Sequence, residues 1–189
     1  MQHALYLSTI LWILFLVYWL TPRRKRDVGK FCEPLRSRVL HLSLFWTSLI
    51  ISLAVPFGAL GWRWPPASPI NGLVGLVIQL VSIGFAIWSR HCLGPYWSGK
   101  LAKMMDHKLI EAGPYRKVRH PIYTGILGMF LGTAIVSGEM RGILALAIIL
   151  FAYLRKIRLE EQLLLDLFGS AFLEYKSRTG ALIPKRRPK

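Results

Sequence analysis

Long apolar runs alternate with short basic ones along this chain. Five apolar runs stand out: Ala4–Leu20, Val39–Leu60, Ile70–Trp88, Pro121–Val136 and Ile143–Leu154. A helix needs about 17–25 such residues to cross a bilayer, which the first three supply. The last two are shorter, and charged flanking side chains can snorkel outward to extend them. Between them, Ser137-Gly138-Glu139-Met140-Arg141-Gly142 reads as the turn of a helical hairpin. Pro56 predicts a kink near the end of the second run. The stretch from Gly61 to Pro69, rich in Trp and Pro, reads as an interfacial turn. From Arg155 the pattern becomes amphipathic, with Leu164, Phe168 and Phe172 on one face and Leu163 and Leu167 beside them. Gly169 marks a bend in it. The pattern predicts an all-α polytopic membrane protein of about five transmembrane helices. The fourth and fifth form a helical hairpin, and a C-terminal amphipathic helix lies on the cytoplasmic face. No polar linker divides the chain, so residues 1–189 are expected to form a single domain, with three spans in residues 1–89.

Composition supports this. Hydrophobic residues make up 53% of the chain, charged residues only 18%, and the mean hydropathy is +0.41. A soluble domain carries about a quarter charged residues. The net charge of +16 would suit nucleic acid, but its distribution does not. Of the 25 Lys and Arg residues, all but Arg63 and Arg141 follow the first, third or fifth run. That alternation is the positive-inside pattern. It predicts an N-terminus outside, a C-terminus in the cytoplasm, attraction to anionic membrane lipids and no nucleic-acid partner. Cys32 and Cys92 both fall on the cytoplasmic side, which argues against a structural disulfide. No CxxC or HExxH occurs, so no metal site is expected. The basic cluster Arg23-Arg24-Lys25-Arg26 follows the first apolar run, so that run is not a cleavable signal. Gly125, Gly128 and Gly132 recur along one side of the fourth helix, a spacing that lets helices approach closely and is read here as packing of the hairpin.

The chemistry-bearing residues gather between the third and fourth runs and after the fifth. His120 precedes Pro121, and proline suits the first turn of a helix. His120 should therefore stand at the N-terminal boundary of the fourth helix. Free backbone N–H groups there would favour an anionic group, with Arg116 and Arg119 reinforcing them. A histidine that only caps and anchors at the interface fits the same position. Tyr115 and Tyr123 flank it. Their rings suit either a sulfonium or ammonium cation or the aromatic belt of a membrane protein. Glu160 and Glu161 follow Arg155, Lys156 and Arg158. They suit either helix-surface ion pairs or the binding of an ammonium group.

Three pieces together carry a family resemblance. They are His107-Lys108-Leu109-Ile110 with Gly113-Pro114-Tyr115; Arg119-His120-Pro121-Ile122-Tyr123-Thr124-Gly125; and Glu160-Glu161 leading to Phe168-Gly169, Glu174-Tyr175-Lys176 and Ile183-Pro184. Over about its last 90 residues the chain resembles the isoprenylcysteine carboxyl methyltransferases, within the small membrane methyltransferases that include phospholipid methyltransferases. The resemblance implies S-adenosyl-L-methionine as methyl donor and residues 90–189 as the cofactor-binding and catalytic half. By resemblance, His107, Lys108, Leu109, Ile110, Tyr115, His120, Pro121, Ile122, Tyr123 and Glu160 contact the cofactor. The substrate-side arginine of the family falls at or near Lys156, beside Arg155, and a glutamine contact falls near Lys100. The implied reaction is carboxyl methylation of an isoprenylcysteine-like substrate reaching the site through the bilayer, with Arg155, Lys156 or Arg158 orienting it. Phospholipid-amine and thiol acceptors are alternatives, and an amine would make Glu161 or His120 a base candidate. A rival of another class is a non-catalytic membrane transport or assembly factor.

Overall fold

In the computed structural model, residues 2–21, 28–32, 34–54, 58–63, 68–96, 102–104 and 109–185 are described. Six α-helices dominate: α1 Gln2–Leu20, α2 Leu35–Leu53, α3 Pro69–Leu93, α4 Pro121–Ser137, α5 Met140–Phe168 and α6 Ser170–Arg178. The strands β1 Val28–Cys32 and β2 Ala102–Met104 pair antiparallel. This small sheet joins the two basic connections that follow the first and third apolar runs.

Local chemistry sets the helix limits. Ser68 caps α3 by accepting the Ile70 N–H at 3.2 Å, with Pro69 at the first helical position. Pro121 likewise takes the first helical position of α4, where His120 makes no side-chain capping bond. Gly138, in the left-handed region at φ 60°, ends α4 and makes the hairpin turn. Gly169 at φ 53° and ψ −123° ends α5 and begins α6, a mirror-image extended conformation open mainly to glycine. The amphipathic segment from Arg155 is therefore not a separate helix. It continues the fifth apolar run as one 29-residue rod. The Pro56 kink lies outside the described residues.

The core forms where Trp12 and Phe15 of α1, Phe130 of α4 and Ile149 of α5 meet. Trp12 packs edge-on to Phe130 at 4.8 Å, and its indole N–H donates to Thr133 Oγ1 at 2.9 Å. The glycines of α4 serve its contact with α3, not the hairpin. A Cβ on Gly132 would come within 2.6 Å of the Gly75 carbonyl oxygen, and one on Gly128 within 2.2 Å of Ser82 Oγ. The spacing of these residues defines a face, and the partner of that face is the neighbouring long helix.

Among the described residues two helices, α1 and α3, are long and apolar enough to cross a membrane, not five. The 17 residues of α4 are apolar but short. Arg36, Arg38 and His41 interrupt the first turns of α2, and the apolar part of α5 runs directly into Arg155, Lys156 and Arg158. Much of α1 and α3 faces outward with apolar side chains, among them Ile13, Leu14 and Val17 of α1 and Leu73, Leu80 and Val81 of α3. So large an exposed apolar face marks contact with a membrane or a partner. With the two crossing-length helices, it fits a helical bundle associated with the membrane.

The contacts define two ends. At one, Gly72 lies against Ala4, and Arg63 reaches Glu139 in the hairpin turn. At the other, buried Arg90 at the end of α3 donates to the carbonyls of Tyr18 and Thr21, each at 2.9 Å. A cation at a helix C-terminus complements its dipole. Arg155 reaches Ser37 at that same end, where α2 begins and α4 starts.

Candidate active site

The second end holds nearly all of the chemistry-bearing residues. His120 is the N-cap residue of α4, at φ −123° and ψ 58°. The segment before it is laced to the C-terminal end of the chain. Arg119 N donates to the Gly180 carbonyl at 2.9 Å, His120 N to the Ala181 carbonyl at 3.0 Å, and Thr124 Oγ1 to the Leu182 carbonyl at 2.6 Å. The backbone donors of Arg119 and His120 are thus spent within the protein instead of standing free for an anion.

The acid pair of α5 comes directly against this base. Glu160 Oε2 lies 3.2 Å from His120 Nδ1, and Glu161 Oε1 lies 3.4 Å from His120 Nε2. The two carboxylates part in their further contacts. Glu160 Oε1 accepts from the Tyr123 hydroxyl. Glu161 accepts from Arg119 Nε at 2.7 Å through Oε1, and Lys176 Nζ lies 2.8 Å from its Oε2. The Glu160 side chain keeps 23% of its surface exposed, against 11% for Glu161. Both oxygens of Glu161 are held by cations, whereas Glu160 meets one imidazole, one hydroxyl and solvent.

Burial opposes a charged imidazole at His120, but hydrogen bonds to Glu160 and Glu161 outweigh it and raise the His120 pKa. For Glu160, burial favours the neutral acid, yet the His120 hydrogen bond and charge hold the carboxyl below its ordinary value. Glu161 is likewise held below its ordinary value, as His120, Lys176 and Arg119 overcome its own burial. The site thus holds an imidazolium between two carboxylates. Burial pushes the phenol of nearby Tyr115 up. Tyr175 rises to about 12 for the same reason, and its hydroxyl donates to the Tyr115 carbonyl at 2.7 Å.

Rings extend the site inward. His120 stacks on Tyr123 at 5.6 Å with 2° between planes, Tyr123 on Tyr153 at 4.5 Å, and His41 of α2 meets Tyr153 at 5.3 Å. Lys156, largely buried, holds its Nζ 5.9 Å from the Tyr123 ring centroid. No carboxylate among the described residues lies within ion-pair distance of it.

Of the residues singled out from the sequence, the structure brings together Tyr115, His120, Pro121, Ile122, Tyr123, Lys156, Glu160 and Glu161. Leu109 and Ile110 precede the turn and are half-buried. Arg155 turns away to Ser37, with Nη2 donating to Oγ at 2.9 Å. Arg158 is exposed. His107, Lys108 and Lys100 lie outside the described residues. Sequence reasoning missed His41 and Tyr153 as neighbours of the site. The spacing 153, 156 and 160 was a readable signal, because it puts those three residues on one face of α5. Nothing in the sequence tied His41 to them.

A family model described as phospholipid methyltransferase matches residues 70–171, which include α3, α4 and α5 with His120, Lys156 and the acid pair. Methanethiol S-methyltransferase 1 of Bradyrhizobium diazoefficiens is 29% identical over 98% of this chain and 68% of its own length. The protein-S-isoprenylcysteine O-methyltransferase of Saccharomyces cerevisiae is 31% identical over 45% of this chain and 36% of its own length. Isoform B from Arabidopsis thaliana is 30% identical over 45% of this chain and 44% of its own length. The chain thus aligns with less than half the length of these two isoprenylcysteine enzymes.

Proposed function

The chain belongs to the phospholipid methyltransferase family, and from that premise we propose that it moves a methyl group from S-adenosylmethionine to a lipophilic acceptor at the membrane interface. Membership in the family implies the donor and the reaction class. One observation carries the reading at this site: Glu160, partly exposed, sits between an imidazole and a tyrosine hydroxyl at the end of the bundle where the basic connections gather.

The residues present fit such a donor. Its ammonium and sulfonium call for carboxylates and ring faces, and its carboxylate calls for cations. Glu160, the rings of Tyr115 and Tyr123, and the cations around Arg119 supply these types. When bound, the donor supplies an electrophilic methyl on a cationic sulfur. Glu160 then neutralises donor charge, and Tyr123 offers a face worth about 0.5–2 kcal/mol to a cation. His120 and Glu161 hold Glu160 and α4 in register. The buried rings exclude water, so that catalysis is mostly positioning. His107, Lys108, Leu109, Ile110, Pro121 and Ile122 complete the donor side in this reading. Residues 1–189 act as one domain, all five long helices lie in the bilayer, and the active end faces the cytoplasm.

The acceptor has two finer readings. Carboxyl methylation of an isoprenylcysteine-like end is supported by the isoprenylcysteine relatives, each aligned to less than half of the chain. A thiol acceptor is supported by the methanethiol relative, whose alignment runs over nearly the whole chain, α2 included. The common reading is tested by calorimetric titration of detergent-purified protein with S-adenosylhomocysteine. Saturable binding that weakens in Glu160→Ala and Tyr123→Ala supports it, and heats equal to those of buffer in the unsubstituted protein refute it in favour of a non-catalytic membrane factor. Reporters fused at Pro66 and after Lys189 should read opposite sides; the same side would break the five-helix arrangement.

A further inference from the structure

We infer that His41 takes the proton of the acceptor and Lys156 faces the anion that results, so that the acceptor is a thiol on an apolar body. The inference rests on the methyl-transfer reading above and names its substrate class.

His41 is buried, and its Nδ1 has no hydrogen-bond partner. A neutral imidazole carries a lone pair on one ring nitrogen, and in the tautomer protonated at Nε2 that nitrogen is Nδ1. Leaving such a nitrogen buried and unpaired costs stability. The ring stands at the far end of the stack that starts at His120, with Tyr123 and Tyr153 between. Lys156, buried and without a carboxylate, lies over the middle of that stack. One end of the stack therefore carries the donor-binding carboxylate and the other an unpaired imidazole nitrogen, with the Lys156 cation over the Tyr123 ring between them.

These residue types discriminate among acceptors. A carboxylate arrives ionised and needs no base. It is best held by the two-pronged fork of an arginine, but Arg155 is bound to Ser37 and Arg158 is exposed. An amine arrives as a cation, which Lys156 repels. A thiol, ordinarily protonated below about pH 8.5, needs a base, and its single charged atom matches the point charge of a lysine. The step balances: the S–H proton moves to His41 Nδ1, and the thiolate sulfur bonds to the methyl carbon. The bond from that carbon to the donor sulfonium breaks with its electron pair, giving a methyl thioether and S-adenosylhomocysteine, and His41 returns its proton to water. Apolar side chains on the outside of α2 and α5, such as Trp46, Ile50, Phe151 and Leu154, allow approach through lipid.

The test uses the full chain in detergent with methyl-labelled S-adenosylmethionine and two probes, 1-octanethiol and N-acetyl-S-farnesylcysteine. The groups facing His41 are Tyr153, Arg155, Lys156 and Glu160 of α5, with Tyr123 of α4 behind Tyr153, so a pH profile is read against Lys156→Met as well. Label should enter the thiol. In His41→Gln, or in His41→Phe, which keeps a ring against Tyr153, turnover should fall about 10²-fold near neutral pH. The deficit should narrow as pH rises, because hydroxide then supplies a growing share of the thiolate, while S-adenosylhomocysteine affinity is unchanged. Lys156→Met should lose turnover at every pH. Label entering only the farnesylcysteine carboxyl, or a His41 deficit that is constant with pH, overturns the inference. Absence of S-adenosylhomocysteine binding in the unsubstituted protein overturns the methyltransferase reading beneath it.

Discussion

The two ends of the α4–α5 hairpin both bury charge, and they do so differently. At the turn, Glu139 is 5% exposed and meets Arg141 Nε at 2.5 Å and Arg63 Nη2 at 3.0 Å. These arginines are the two cations that the positive-inside pattern leaves on that side, and both converge on one carboxylate. At the other end, two carboxylates face an imidazole, two further cations and a stack of rings, and Glu160 keeps solvent contact. Burial of charge alone does not mark a binding site. A carboxylate enclosed by two arginines fastens a turn, whereas a carboxylate with exposed surface beside a stack of rings and a lysine without an ion-pair partner has capacity left for a ligand.

The largest expected effect falls at the turn. Glu139→Gln removes the carboxylate from Arg141, which is 3% exposed and whose Nη1 already lacks a partner. Leaving a buried cation unpaired costs about 3–5 kcal/mol. The melting temperature in detergent should drop sharply, with S-adenosylhomocysteine affinity intact in the fraction that remains folded. The converse substitution, Glu160→Gln, should weaken that affinity about 10²-fold, or roughly 2.7 kcal/mol, with a smaller change in melting temperature. Calorimetry and thermal denaturation of both variants break the comparison if the two effects are interchanged.

The sequence disclosed these two ends unequally. Proline and glycine announced the local geometry, so Pro121 at the start of α4, Gly138 in the hairpin turn and Gly169 at the end of α5 were legible. The segregation of cations was legible too, because it requires only counting along the chain. The approach of Glu160 to His120 was implied by family resemblance, since no spacing rule links residues on different helices. The β1–β2 pair was not legible, because segments of five and three residues are too short to show an alternation and pair through backbone groups. The strap of residues 179–182 against residues 117–120 was hidden for the same reason. Crossing length was legible for the first and third apolar runs, which form α1 and α3, whereas the fifth fused with the amphipathic run into one rod whose charges keep it from reading as an apolar span. His41 went unnoticed because its neighbours lie on α5, more than 100 residues away by sequence.

Acidity offers a subtler way to separate the ends. His120 gains two carboxylate partners on folding and its pKa is raised, so its contribution is complete below the ordinary value of 6.5 and is lost as pH rises through the raised one. Glu161 has a lowered pKa, so its contribution is present above the ordinary value of 4.5 and fails as pH falls through the lowered one. Thermal stability should therefore decline on the alkaline side through His120, and the decline should be shallower in His120→Gln. The cluster at the turn contains no histidine, so the slope of Glu139→Gln should match that of the unsubstituted protein.

The smallest expected effect lies within the turn itself and isolates the role of burial. Arg63 and Arg141 share one carboxylate at comparable distances, yet the Arg63 side chain is 42% exposed and that of Arg141 only 3%. Solvent screens the first pair and holds its cation when the contact is broken, so Arg63→Gln should cost only about 0–1 kcal/mol. Arg141 keeps Glu139 neutralised in that variant, and no buried charge is orphaned. Thermal denaturation should show Arg63→Gln within a few degrees of the unsubstituted protein and well above Glu139→Gln. If Arg63→Gln were instead as damaging as Glu139→Gln, the turn would depend on the whole three-residue cluster, and fractional exposure would not separate fastening charges from surplus ones in this molecule.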